Sequence, residues 1–123
     1  MRKMTYADTS FFISLMNPGD SLHAEAQKIY NKYKGSLETS LLTIAELLVG
    51  CEKRGLDPEI VVSSLFQLTH IPDITLEQAL RAAHYVKEKN LSAIDALHAS
   101  LSNFEIISSD KDFDKIDVDR IWA

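Results

Sequence analysis

Short apolar stretches and segments of helical period alternate along the whole chain. Met4 to Ala7 reads as a strand ending at Asp8, and Thr9-Ser10 can cap the turn or two that carries Phe11, Phe12, Ile13, Leu15 and Met16. Asn17-Pro18-Gly19-Asp20 stops that helix. Ser21 is a candidate N-cap for a helix to about Lys34, with Leu22, Ala26, Ile29, Tyr30 and Tyr33 near one face and Gly35 at its end. Ser36 to Ser40 forms a candidate second strand, and Thr43-Ile44-Ala45-Glu46 opens a helix that closes before Gly55. Glu46 is thereby placed in a first helical turn.

The second half continues the alternation. Pro58 starts a helix striped by Ile60, Val61, Leu65 and Leu68. Thr75-Leu76-Glu77-Gln78 is a capping-box pattern, opening a helix with Leu76, Ala79, Leu80, Ala83 and Val86 that frays near Lys89-Asn90. Ser92 caps a helix holding Ile94, Leu97, His98 and Leu101; Glu105 to Ser108 then reads as a buried strand, and Val118 to Trp122 as an edge strand. No internal repeat, low-complexity tract or long linker interrupts the order. The expectation is one α/β domain over residues 1–123, a three-layer α/β/α sandwich around a short, mostly parallel sheet.

Composition narrows the setting. The 123 residues, 46% of them hydrophobic, are enough for one globular core. A formal net charge of −5 argues against holding nucleic acid by whole-surface attraction, while leaving room for a local basic strip. Cys51 is the lone cysteine, so no intrachain disulfide forms, and its neighbours Leu47, Leu48 and Val49 place it near a core. No apolar run approaches the roughly 18 to 20 residues that span a bilayer, and Met1 to Asp8 lacks the apolar segment of a secretion signal. These features predict a soluble cytoplasmic protein with no membrane partner.

The chemistry concentrates in four acids, Asp8, Glu46, Asp95 and Asp110, each where a strand hands over to a helix. Open α/β sheets present their ligand crevice beyond the carboxyl ends of the strands. Each acid also has a bland explanation. Thr43 and Glu46, like Ser92 and Asp95, have capping-box spacing, and a first-turn acid is favoured by the helix dipole. Asp8 fits a turn or N-cap; Asp110, in Ser108-Ser109-Asp110-Lys111-Asp112-Phe113-Asp114, fits a solvated acidic loop. Four converging carboxylates would repel one another without a cation, and oxygen-only ligands select hard ions, Mg²⁺ or Mn²⁺.

Other chemistries fit poorly. The glycines, at 19, 35, 50 and 55, build no phosphate loop, and the acidic loop lacks EF-hand spacing. His23, His70, His84 and His98 make no zinc pattern and are read as partly exposed structural residues. Cys51 has no histidine at a recognisable catalytic spacing.

Asp8-Thr9-Ser10 after the first strand, Glu46 in T-I-A-E-L-L, Asp95 in A-I-D-A-L-H-A and Asp110 in S-S-D-K-D-F resemble the motifs of PIN-domain nucleases, most closely VapC toxins. The resemblance covers nearly the whole chain in order and spacing. It implies a compact α/β/α domain whose acidic quartet binds Mg²⁺ or Mn²⁺ and cuts single-stranded or structured RNA, leaving 5′-phosphate and 3′-hydroxyl ends. It further implies a homodimer held inactive by a cognate VapB-like antitoxin. Asp8 and Asp95 are then the first choices for direct metal ligands, with Asp110 completing the site and Glu46 acting through water. Ser10 and Asp112 are candidates for supporting contacts, and Phe11, Phe12 and Tyr33 for dimer contact, with core packing equally open to them. Two alternatives remain at this level: a phosphoryl-accepting, receiver-like signalling domain, and a non-catalytic RNA or protein interaction module on the same scaffold.

Overall fold

The computed structural model describes residues 3–122. Its elements run β1 (Thr5–Ala7), α1 (Thr9–Met16), α2 (His23–Tyr33), β2 (Leu37–Glu38), α3 (Leu41–Arg54), α4 (Pro58–Leu68), α5 (Leu76–Lys89), α6 (Ala93–Leu101), β3 (Glu105–Ile107), a 3₁₀ turn (Lys111–Lys115) and β4 (Asp119–Ile121). The four strands pair in parallel in the order β2-β1-β3-β4.

Strand alternation builds the three layers. Successive side chains point to opposite faces, so Tyr6 and Ile106 enter one core while Ala7 and Ile107 enter the other. The first core packs Phe11, Phe12, Ala26, Ile29, Leu47, Cys51, Val61 and Leu65 from α1 to α4; the second packs Ala82, Tyr85, Ala96, Ala99 and Leu101 from α5 and α6 with Phe113 and Val118. Each buried phenylalanine contributes on the order of 1.5–3 kcal/mol over an exposed one. The α/β/α sandwich expected from the pattern is the fold observed.

Local signals set most boundaries. Asp57 caps α4 through the Glu59 and Ile60 amides, both halves of the Thr75–Gln78 capping box form, and α3 ends on Gly55 in the left-handed region at φ 66°. Several expectations are corrected. Asp8, rather than Thr9-Ser10, caps α1, because its carboxylate can reach the Phe11 amide. Helix α2 begins at His23, and Asp20 takes the turn contacts expected of Ser21, accepting from the Leu22 amide and the Ser14 hydroxyl. Helix α3 starts at Leu41, so Glu46 lies in its second turn, out of capping-box register with Thr43.

The largest correction concerns α5. Its expected apolar stripe, Leu76, Ala79, Leu80, Ala83 and Val86, faces outward, while Ala82 and Tyr85 enter the core. On the side of α5 that packs against α6, a small residue permits close approach and one tyrosine fills the remaining volume. Phe11 and Phe12 are fully buried, which removes them as dimer contacts; core packing was the correct alternative.

Candidate functional site

Chain order makes β1 and β3 neighbours at the centre of the sheet, with β2 and β4 outside them, so the topological switch lies between these two strands. A ligand crevice is expected beyond their carboxyl ends. Asp8 follows β1 and Asp110 lies three residues past the end of β3.

Asp8 is 5% exposed and saturated with donors: the Ser10 hydroxyl gives a bond of 2.6 Å to Oδ1, the Ser108 hydroxyl one of 2.6 Å to Oδ2, and the Phe11 amide one of 3.3 Å. Burial pushes its pKa up, and these donors together with the nearby His98 ring oppose the rise. Ser10 Oγ also accepts the Ser109 amide and Ser108 Oγ the Asp110 amide, so two serines tie the ends of β1 and β3 together around one carboxylate.

Asp95 stands in the first turn of α6, where Ser92 Oγ accepts its amide at 3.2 Å. Asp110 caps the 3₁₀ turn through the Asp112 amide, and the fully buried Phe113 anchors that turn, which aims Asp112 back toward Asp95. Carboxylate oxygens of Asp95, Asp110 and Asp112 all lie within 4.8 Å of one another. The pKa of Asp95 is raised by partial burial first, then by the charge of Asp110, with Asp112 adding to it; the Ser92 bond and His98 act the other way. Three hard oxygen donors at this spacing, whose mutual repulsion is offset only by the Ser92 bond, the His98 ring and an exposed Lys115–Asp112 pair at 3.3 Å, fit a divalent cation of the Mg²⁺ or Mn²⁺ kind.

Glu46 has a different environment. Its Oε1 accepts from Thr9 Oγ1 and from His98 Nε2, both at 2.7 Å, and the His98 bond leads the causes that hold its pKa below the usual value. An ionised carboxylate only accepts, so Nε2 carries hydrogen. His98 Nδ1 then meets the Tyr6 hydroxyl at 2.7 Å, and Tyr6 meets Ser40 Oγ at 2.7 Å. Burial raises the Tyr6 pKa far enough to keep it a neutral phenol.

Thus Asp95, Asp110 and Asp112 meet at the switch point. Asp8, expected as a direct ligand, stands outside that group and is tied to it through Ser108, while Asp112 takes a place in it. Glu46 joins from α3 through His98, which carries bonds to the network and electrostatic influence on Asp8 and Asp95. His98 is 3% exposed, so its reading as a partly exposed residue is wrong. The sequence signal was its position three residues after Asp95, one turn away on the same helix. Thr9 and Tyr6 had no comparable signal.

A PIN domain family model matches residues 5–119. The chain belongs to the PIN domain family. That membership removes the receiver-like alternative. In structure, this PIN domain is similar to the VapC20 toxin of Mycobacterium tuberculosis, described as cleaving the sarcin-ricin loop, with a TM-score of 0.81 at 16% identity over 97% of this chain and 99% of that one. A toxin–antitoxin complex from Klebsiella pneumoniae aligns with a TM-score of 0.68 at 24% identity over 87% of each chain. VapBC2 of Rickettsia felis, bound to a promoter DNA fragment, aligns with a TM-score of 0.71 at 16% identity over 98% of this chain and 99% of that one. No curated protein sequence matches. No helix among the described residues of this PIN domain is long and apolar enough to cross a membrane.

Proposed function

We propose that this PIN domain is a Mg²⁺- or Mn²⁺-dependent endoribonuclease that hydrolyses RNA phosphodiester bonds, acting in the cytoplasm as the toxin of a VapBC-type pair. The observation that carries the reading is the meeting of Asp95, Asp110 and Asp112 within 4.8 Å beside buried Asp8 at the switch point of a PIN fold.

Asp95, Asp110 and Asp112 would hold the ion, with Asp8 beside them. When bound, the ion supplies charge relief at the phosphate and an acidified water. Ser10 and Ser108 keep the Asp8 carboxylate fixed and accept the backbone amides that follow β3. With Oε1 of Glu46 occupied by Thr9 and His98, Oε2 is the oxygen left to orient the attacking water and to receive its proton. The lowered pKa of Glu46 keeps it ionised for that task.

The RNA assignment draws support from the likeness to a toxin described as cleaving the sarcin-ricin loop. A VapB-like antitoxin is the proposed partner, by likeness to chains solved in toxin–antitoxin complexes. A homodimer is proposed with it; the outward stripe of Leu76, Leu80 and Val86 on α5 offers apolar area for protein contact.

Incubating the purified protein with total RNA in Mg²⁺, Mn²⁺ or EDTA, and mapping the new ends, tests the reading. Cuts with 5′-phosphate ends are expected in either metal and none in EDTA. RNA that binds equally well in EDTA and is never cut would instead establish a non-catalytic module.

A further inference from the structure

On the flank that Lys115 shares with Asp112, running toward the amino ends of β3 and β4, α5, the segment after α6 and the 3₁₀ turn line an open cleft of about 550 Å³. Arg81, Tyr85 and Lys89 line it from one face of α5 at intervals of four residues, Phe104 from its floor, and Lys115 from the 3₁₀ turn. Arg81 to Lys89 spans about 12 Å along the helix at 1.5 Å per residue. In a chain of net charge −5 these walls bring three cations together; Arg81 meets the exposed Glu77 at 3.4 Å in a weak surface pair, and Asp117 is already engaged by the Tyr85 hydroxyl at 2.7 Å.

Phe104 is built for exposure. It follows Asn103 in the left-handed region, at φ 54° and 72°, a conformation that costs an ordinary L-residue energy. Its ring is 42% exposed, and the Arg81 guanidinium sits 4.5 Å from its centroid. An aromatic face with an arginine over it is a stacking platform for a nucleobase, and flanking lysines suit phosphates. Lys115 joins the cleft to the acids: its Nζ lies 3.3 Å from Asp112 Oδ1, an exposed pair that a phosphate can replace at little cost.

We infer that this cleft holds the part of a single-stranded RNA that flanks the scissile bond, one base stacking at Phe104 and Arg81 while Lys89 and Lys115 meet phosphates on the way to the aspartates. The inference rests on the nuclease reading for its substrate. A duplex cannot expose a base to the platform, so single strands bind preferentially.

The test is fluorescence anisotropy of a short labelled single-stranded RNA with the full chain in EDTA, over a salt series. Phe104→Gly is expected to weaken binding roughly tenfold, the worth of one stacked base, while the melting temperature holds or rises because glycine adopts positive φ freely. Phe104→Tyr retains affinity. Replacing Lys89 and Lys115 by glutamine flattens the salt dependence by about 1.4 in log–log slope, two single-strand phosphate contacts at about 0.7 each. Unchanged affinity and slope in these variants overturn the cleft, as does equal binding of the duplexed RNA, or tighter binding of an acidic peptide at the same residues. Wild-type cleavage in Mg²⁺ with unaffected variants refutes the cleft alone. Lost binding in the variants with no wild-type cleavage in Mg²⁺ or Mn²⁺ refutes the nuclease reading and leaves the cleft standing.

Discussion

The site has two wings that handle negative charge in opposite ways. On the Glu46 wing the carboxylate is satisfied from within: Thr9 and His98 donate to one oxygen, and Tyr6 and Ser40 continue the chain into the core. On the aspartate wing, Asp95, Asp110 and Asp112 face one another; Ser92 to the Asp95 amide and Asp110 to the Asp112 amide fix the backbone, and the one ion pair to the group among the described residues, Lys115 to Asp112, is exposed and weak. The difference is directional. A carboxylate with its own donors is a positioned reactant, whereas carboxylates that face one another, with Asp95 raised in pKa by burial and by the charges of Asp110 and Asp112, form a receptor for a cation.

The largest expected effect separates the wings by metal response. Asp95→Asn and Asp110→Asn should each lower Mn²⁺-dependent cleavage by roughly 10² to 10³, since ligand loss removes several kcal/mol of charge stabilisation. Both should also lose the rise in melting temperature that Mn²⁺ gives the wild type. Glu46→Gln should slow cleavage yet keep that thermal response. If Glu46→Gln abolished the response as fully as Asp95→Asn, the division into wings would be wrong.

Next in size is His98→Ala, which should cost about 2–4 kcal/mol in urea unfolding, because it opens a cavity and strips partners from Tyr6 and Glu46. His98→Gln, which can still donate toward Glu46, should lose less stability and recover part of the cleavage rate. Identical cleavage rates for the two variants would show that His98 has no role in holding Glu46. For the wild type, Mn²⁺ at about a hundred times its dissociation constant should add about 2.7 kcal/mol, read from the same unfolding curves.

The smallest effects are in pH dependence, where the wings carry opposite signs. In EDTA the raised values of Asp8 and Asp95 make their contribution most favourable below the ordinary value of 3.8, and it is lost as pH rises through the raised folded values. Glu46, lowered from 4.5, contributes above that value and loses the contribution as pH falls through its folded value. Asp95→Asn should therefore gain on the wild type in melting temperature as pH climbs from 4 toward neutrality, by a modest amount given its partial exposure. Saturating Mn²⁺ should reverse the order. A gain that grew toward acid instead would contradict the raised pKa.

Much of the fold could be read locally. The Asp57-Pro58 start of α4, the reciprocal Thr75–Gln78 cap and the Gly55 stop depend on residues within a turn of one another, which is why pattern located them. The α5 stripe misled for the converse reason. Periodicity identifies an apolar face without naming its partner, and in α5 the packed face is the one with Ala82 and Tyr85. Asp112 was similarly ambiguous until Phe113, buried beside it, fixed the direction of the 3₁₀ turn.

By itself the sequence determined where most helices and strands lie, that Asp8 and Asp110 follow strands, and that the motifs around the acids are those of a PIN domain, because caps, breakers and periodicity act over a few residues. Strict alternation fails at the four consecutive helices α3 to α6, and Asp95 follows a turn between two of them. Tertiary structure alone decided which acids meet. Bringing Asp8 and Ser108 within 2.6 Å across a separation of 100 residues, or Glu46 and His98 within 2.7 Å across 52, requires the parallel pairing of β1 with β3 and the packing of α3 and α6 about that sheet. Those distances set the electrostatics, and so only the folded chain separates the satisfied carboxylate from the ones that need a cation.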